Sequence, residues 1–234
     1  IWAGTLPDHW EVGATLPTAL GEVAGGIIGD TLYLVGEGSS ATLAYSLGAD
    51  TWRAPGTFAA RPLPGNHHAA EVVGDKLYLF GGLGSGSAGK VQIFDPAANA
   101  WTPGADMPFA AGSSATALIG GKVYLAGGIV GDSTTNRAAV YDPAANRWAD
   151  IAPMPQGRNH TAAATDGAKL YVFGGRSAGL EQSAGTDTVQ VYDPATNAWT
   201  TSNTAAGPAA MPRRTRGTAR AVFYGGEFFV IGGE

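Results

Sequence analysis

Tyr141-Asp-Pro-Ala-Ala-Asn-Arg-Trp148 recurs as Phe94-Asp-Pro-Ala-Ala-Asn-Ala-Trp101, as Tyr192-Asp-Pro-Ala-Thr-Asn-Ala-Trp199 and, more loosely, as Tyr45-Ser-Leu-Gly-Ala-Asp-Thr-Trp52. Every copy sets an aromatic residue seven positions before a tryptophan. Proline presets φ for a turn, and Asp and Asn cap turns with side-chain hydrogen bonds, so each copy reads as strand, turn, strand. Upstream lies an apolar run with a central aromatic that ends in paired glycines: Tyr78-Leu-Phe-Gly81-Gly82, Tyr124-Leu-Ala-Gly127-Gly128, Tyr171-Val-Phe-Gly174-Gly175 and Phe229-Val-Ile-Gly232-Gly233. The first copy, Tyr33-Leu-Val-Gly36-Glu37-Gly38, carries a glutamate at the second glycine position. From Trp10 onward the repeat tryptophans stand 42, 49, 47 and 51 residues apart.

A period of that size, built from short strands, predicts one four-stranded antiparallel sheet per repeat, the sheets arranged radially. The first strand of a unit, such as residues 68–73, is rich in small side chains because strands crowd near the axis. A turn at Gly74-Asp75 leads to the second strand, residues 76–80, whose nearly continuous apolar run signals burial on both faces. Paired glycines permit positive φ and close approach of the neighbouring sheet.

Glycine pair, aromatic seven before Trp, and a following Met-Pro (Met107-Pro108, Met154-Pro155, Met211-Pro212) together resemble the kelch-repeat β-propeller family over essentially the whole chain. The resemblance implies an all-β fold, a single propeller domain over 1–234. Its repeats are expected at about 11–52, 53–101, 102–148 and 149–199, with a partial fifth at 200–234 and residues 1–10 supplying a closing outer strand. Trp10 fits as the last blade's outer tryptophan, but the third strand of that blade has no source. The expectation is therefore part of a larger, six-bladed ring, with an irregular five-bladed ring as the alternative.

Composition narrows the function classes. A net charge of −5 argues against nucleic-acid binding, which rests on neutralising phosphates. The apolar runs last only a few residues, far short of the ~20 needed for a membrane-spanning helix. Without cysteine there is no disulfide scaffold, thiol catalysis or cysteine metal site, and the cysteine-crosslinked tyrosine chemistry of galactose oxidase, a kelch-type copper enzyme, is excluded. No metal site and no cofactor are expected. Ile1 follows neither an initiator methionine nor a basic leader, so the chain reads as processed, excised or incomplete at its start; with scarce lysine and abundant Ala, Gly and Thr this suggests an exported bacterial protein, extracellular or at the cell surface.

Two short motifs are decoys. Gly84-Ser-Gly-Ser-Ala-Gly89-Lys90 mimics a phosphate loop, yet Val91 follows the lysine and a strand follows the loop, where a helix is required. Asn159-His160-Thr161 spells a glycosylation sequon but falls at the start of an inner strand. The constellation worth weighing comes from superposing the repeats. Glu22, His67, Ser113, His160 and Thr218 share one position at the start of the inner strands, where loops open on the channel mouth. Asn66 and Asn159 stand one residue before, and Arg158 and Arg216 two before; Arg213, Arg214, Arg216 and Arg220 form a cluster. As a ligand site the candidates are Glu22, Asn66, His67, Arg158, His160, Arg214 and Arg216, the arginines gripping a carboxylate or vicinal hydroxyls and Glu22 and the imidazoles moving protons. The plainer reading is that these Arg and His side chains brace inter-blade loops. The repeat tryptophans read as blade packing.

No complete catalytic set emerges, and the resemblance implies a non-catalytic binding module for a protein or glycan partner, not an enzyme, with specificity in the loops at residues 83–89, 129–136 and 176–187. The alternatives are an enzyme similar to kelch-type sialic-acid mutarotases, with acid and base at the channel mouth, and a structural subunit of a cell-surface assembly.

Overall fold

The computed structural model describes residues 11–177, 185–202, 204–205, 207–217 and 220–232. Four antiparallel four-stranded sheets follow one another along the chain. Blade one holds β1 (Ala24–Ile28), β2 (Thr31–Val35), β3 (Leu43–Ser46) and β4 (Thr51–Trp52), and blade two β5 (Ala69–Val73), β6 (Lys76–Phe80), β7 (Val91–Asp95) and β8 (Ala100–Pro103). Blade three holds β9 (Ala115–Ile119), β10 (Lys122–Ala126), β13 (Ala138–Asp142) and β14 (Arg147–Asp150), with a small hairpin of β11 (Ile129–Val130) and β12 (Ser133–Thr134) in its loop. Blade four holds β15 (Ala162–Thr165), β16 (Leu170–Phe173), β17 (Val189–Asp193) and β18 (Ala198–Thr201); a last hairpin pairs β19 (Ala221–Tyr224) with β20 (Glu227–Val230). Inner strands touch in succession, β1 to β5 to β9 to β15 to β19, which is the expected radial arrangement. Trp10 and residues 233–234 lie outside the described residues, as does the expected closing strand.

The repeated octapeptide is a clamp. In each blade the fourth-strand tryptophan donates its indole N–H to one connector residue: Trp52 to Ala14 at 3.0 Å, Trp101 to Ala59 at 3.0 Å, Trp148 to Ala105 at 2.9 Å and Trp199 to Ala152 at 2.7 Å. The N–H of the same residue goes to the turn residue two before that tryptophan, Asp50, Asn99, Asn146 or Asn197. Those four turn residues all have positive φ, between 46° and 50°, a conformation Asn and Asp tolerate better than other side chains. The aromatic seven before each tryptophan packs against it, with ring centroids 4.9–5.2 Å apart and ring planes tilted by 33–47°. Packing therefore accounts for these tryptophans, as expected.

The Met-Pro motif and the glycine pair meet across blades. A Cβ on Gly81 would face the Met107 sulfur at 3.3 Å, and one on Gly127 the Met154 sulfur at 3.2 Å, each methionine belonging to the connector into the next blade. The second glycine donates its N–H to that connector as well, Gly82 to Ala111 O at 3.0 Å and Gly128 to Arg158 O at 2.7 Å. Apolar clusters fill each blade junction: Phe94, Leu77 and Val35 between blades one and two, Phe80, Tyr141 and Val123 between two and three. Exposed apolar side chains gather on the last hairpin, at Val222, Phe223, Tyr224, Phe229 and Ile231, and on blade one at Val23 and Ile27.

Blade one departs from the repeat by one residue. Leu83, Ile129 and Arg176, the residues after the glycine pairs, donate N–H to Asn66, Gly112 and Asn159, and Glu37 makes the matching bond to Gly21 O at 2.8 Å. Glu37 thus occupies the position after the pair, not the second glycine position that superposing the sequences assigns to it. Blade one has a single glycine there, Gly36.

Candidate functional site

Glu22, His67, Ser113 and His160 all adopt left-handed backbone, with φ of 43°, 53°, 57° and 53°. Four non-glycine residues held in this sparsely occupied region at one repeat position set the lip of a cavity of about 630 Å³. Below the lip the wall is made of small inner-strand residues, among them Ala24, Ala69, Ala115 and Thr116, with Arg220 reaching in from just before β19. Thr218, the fifth lip residue by superposition, lies outside the described residues.

Three of the predicted residues converge. The His67 Nε2 lies 3.3 Å from Glu22 Oε2 and 3.1 Å from His160 Nε2, although the three come from blades one, two and four. Each imidazole is held from behind by the asparagine that precedes it, Asn66 Oδ1 on His67 Nδ1 at 2.7 Å and Asn159 Oδ1 on His160 Nδ1 at 2.6 Å. Asn66 is thereby a positioner and does not line the cavity.

The predicted arginines lie elsewhere. Arg158 is buried at 3% exposure, with Nη2 on Gln156 Oε1 at 2.8 Å and Nη1 on Gly157 O at 3.3 Å, so it braces a connector. Arg214 and Arg216 are exposed and outside the cavity lining; Arg216 lends its carbonyl to Arg176 Nε at 3.1 Å. Among the described residues, the arginine that lines the cavity is Arg220. It donates to Ala70 O at 2.7 Å and Gly25 O at 3.3 Å and lies 3.9 Å from Glu71 Oε1. Burial pushes the Glu71 carboxyl up, against the pull of Arg220 and a hydrogen bond from Thr116. Glu71 and Arg220 were absent from the predicted site. Their signal is a break in the repeat: Arg220 stands where the other copies have Ala24, Ala69, Ala115 and Ala162, and Glu71 where they have Gly26, Ala117, Ala164 and Val222.

Beside the lip, His68 does different work. Its Nδ1 donates to Gly81 O at 2.6 Å and its Nε2 accepts from Arg61 Nη1 at 2.6 Å, so the ring must stay neutral. Burial first, and then the Arg61 charge, pull it down to about 4. Below the ordinary histidine value of about 6.5 the unfolded chain takes up a proton that the folded one refuses, so stability falls as pH drops from about 6.5 to about 4, by on the order of 3 kcal/mol. Glu71, raised, works in the opposite sense, since the folded state gains its proton first. Denaturant unfolding at pH 7 and pH 4.5 should show a smaller loss in His68→Gln than in wild type; equal losses would overturn the assignment.

Radial four-stranded blades around a polar-lipped cavity define a β-propeller. The chain belongs to the kelch-repeat family: the family profile described as the KLHDC2/KLHL20/DRC7 Kelch-repeats domain matches residues 27–233. It is 34% identical over 141 residues to the N-acetylneuraminate epimerase of Pasteurella multocida, a match spanning 54% of this chain and 34% of that one. It is 29% identical over 143 residues to the Kelch-like protein terF of Aspergillus terreus, spanning 53% of this chain and 30% of that protein. The solved structure of YjhT shares the fold, with a TM-score of 0.77 at 22% identity, over 93% of this chain and 73% of that one. The chain thus spans about a third of the curated relatives it matches. Relatives named as epimerases, which also include that of Haemophilus influenzae at 35% identity, overturn the expectation that the chain is not an enzyme.

Proposed function

We propose that the cavity catalyses mutarotation of an acidic sugar of the N-acetylneuraminate type. The observation that carries this reading is the convergence of Glu22, His67 and His160 on one lip with Arg220 in the same cavity, and the likeness to epimerases of that sugar supports it. Arg220 is the group to grip the sugar carboxylate through paired donors. Glu22 Oε2 takes the proton of the anomeric hydroxyl while a proton held at the imidazole pair goes to the ring oxygen. The ring C–O bond breaks as the carbonyl forms, the open chain turns its other carbonyl face, and the reverse transfers close the ring. No net proton is consumed.

The test is NMR of the anomer equilibration of N-acetylneuraminate freshly released as one anomer. Wild type should accelerate it over buffer. Glu22→Gln should lower kcat by about 100-fold, the usual range for loss of a general base being about 10²–10⁴. Arg220→Ala should act mainly on KM. Equilibration by wild type at the buffer rate would overturn the reading.

A further inference from the structure

We propose that Glu37 is a positioning residue that sets the tautomer of His67 through Asn66, so that His67 turns an Nε2 lone pair toward the cavity. A carboxylate only accepts, so the 2.7 Å bond between Asn66 Nδ2 and Glu37 Oε1 forces the amide nitrogen toward Glu37. The Asn66 oxygen must then face His67 Nδ1, which is 2.7 Å away and has to donate. Nδ1–H on a neutral ring leaves Nε2 unprotonated, aimed between Glu22 Oε2 and His160 Nε2.

The other Asn-His pair also has a polar partner for its asparagine. Each blade that precedes an Asn-His pair supplies a polar partner for the asparagine: Glu37 for Asn66, and Thr134, on the small hairpin of blade three, for Asn159, with Oγ1 at 2.5 Å from Nδ2. Blade two precedes Gly112-Ser113, which offers neither amide nor imidazole, and there the residue corresponding to Glu37 is Leu83, packed on Gly112. The one-residue shortening of blade one is what carries the Glu37 side chain to this position. Glu37 and Asn66 line a separate neighbouring groove of about 380 Å³.

With His67 Nδ1 donating to Asn66 and Asn159 Oδ1 set 2.6 Å from His160 Nδ1, one proton between the rings closes the 3.1 Å Nε2 to Nε2 contact opposite the Glu22 carboxylate. In the mutarotase reading, on which this role rests, that is the proton delivered to the sugar ring oxygen. His67 with the opposite tautomer would hold its own N–H toward Glu22 and His160 and would have no Nε2 lone pair left to take up a proton.

The experiment reads the tautomer directly, by long-range ¹H–¹⁵N correlation of the histidine ring nitrogens in the intact chain. Wild type should show His67 as the Nδ1–H form. Glu37→Gln, whose amide can accept from Asn66 or donate to it, should leave His67 between the wild-type and the Glu37→Leu forms, with an intermediate loss of kcat. Glu37→Leu frees that amide to turn over, so His67 should move toward the Nε2–H form, with kcat for mutarotation falling about tenfold and KM unchanged. Unaltered His67 nitrogen shifts in a folded Glu37→Leu protein would overturn the proposal. Tautomer exchange in Glu37→Leu beside an inactive wild type would uphold it and sink the mutarotase reading alone.

Discussion

Replacing Arg61 by methionine is expected to cost about 3 kcal/mol or more of stability, because several buried acceptors lose their donor together. Arg61 is 2% exposed and its guanidinium serves five acceptors: the carbonyl oxygens of Gly36 at 2.6 Å, Ser39 at 2.9 Å, Gly65 at 2.9 Å and Pro64, and the His68 ring at 2.6 Å. The reason for this concentration lies in blade one. Gly65 is the counterpart of Ala111 and Arg158, whose carbonyls receive an N–H from the second glycine of the preceding blade. Blade one lacks that glycine, and Arg61 supplies the donor in its place. Burial lowers the guanidinium only to about 10, so it stays charged at neutral pH. In Arg61→Met the carbonyls stay buried and lose their donor, each at a cost of about 1–3 kcal/mol unless water reaches it. Arg61→Lys should recover part of the loss, since an ammonium reaches fewer of these acceptors than a planar fork. Urea unfolding measures both; a loss below about 1 kcal/mol in Arg61→Met would show that the blade junction does not depend on this side chain.

Gly81→Ala is the second large effect, at about 3 kcal/mol or more. The residue has φ of 61°, which costs a side chain about 1–2 kcal/mol by itself. The added methyl would also collide with the Ala111 carbonyl oxygen, the atom that receives the Gly82 N–H across the junction, and press on Met107. Overpacking of this kind adds about 1–3 kcal/mol. Gly120→Ala separates the two contributions. Gly120 has a similar φ of 57° in the turn between β9 and β10, with nothing near its hypothetical Cβ, so it should lose only the backbone cost. Equal losses in the two variants would mean that the glycine is conserved in the repeat for its dihedral angles alone and not for blade contact.

The recurrence of an aromatic seven before tryptophan was enough to read the blades, because each feature of the octapeptide acts within its own repeat. Asn99, Trp101 and the Ala59 connector they clamp lie within 42 residues of each other. The lip was legible for a related reason: the repeat places Glu22, His67 and His160 at one turn, and one turn recurs at one height. What superposition could not show is which arginine points inward. Arg158 and Arg216 occupy the expected positions in the repeat, yet the side chain of one is taken by a connector and the other stays on the surface. Arg220 reaches the axis because it replaces an inner-strand alanine, a substitution that only matters where strands converge.

Sequence alone determined the number of strands in a repeat, their turns, the packing role of the repeat tryptophans and the one repeat position shared by Glu22, His67, Ser113 and His160, since these follow from short-range spacing repeated four times. Tertiary structure alone decided three things. It moved Glu37 out of the glycine position, because register at a blade junction is set by hydrogen bonds from the next repeat. It gave Arg61 the place of a missing backbone donor, and it brought residues 22, 67 and 160 within hydrogen-bonding reach, because curvature around an axis, unlike spacing along a chain, joins residues from blades that are not neighbours.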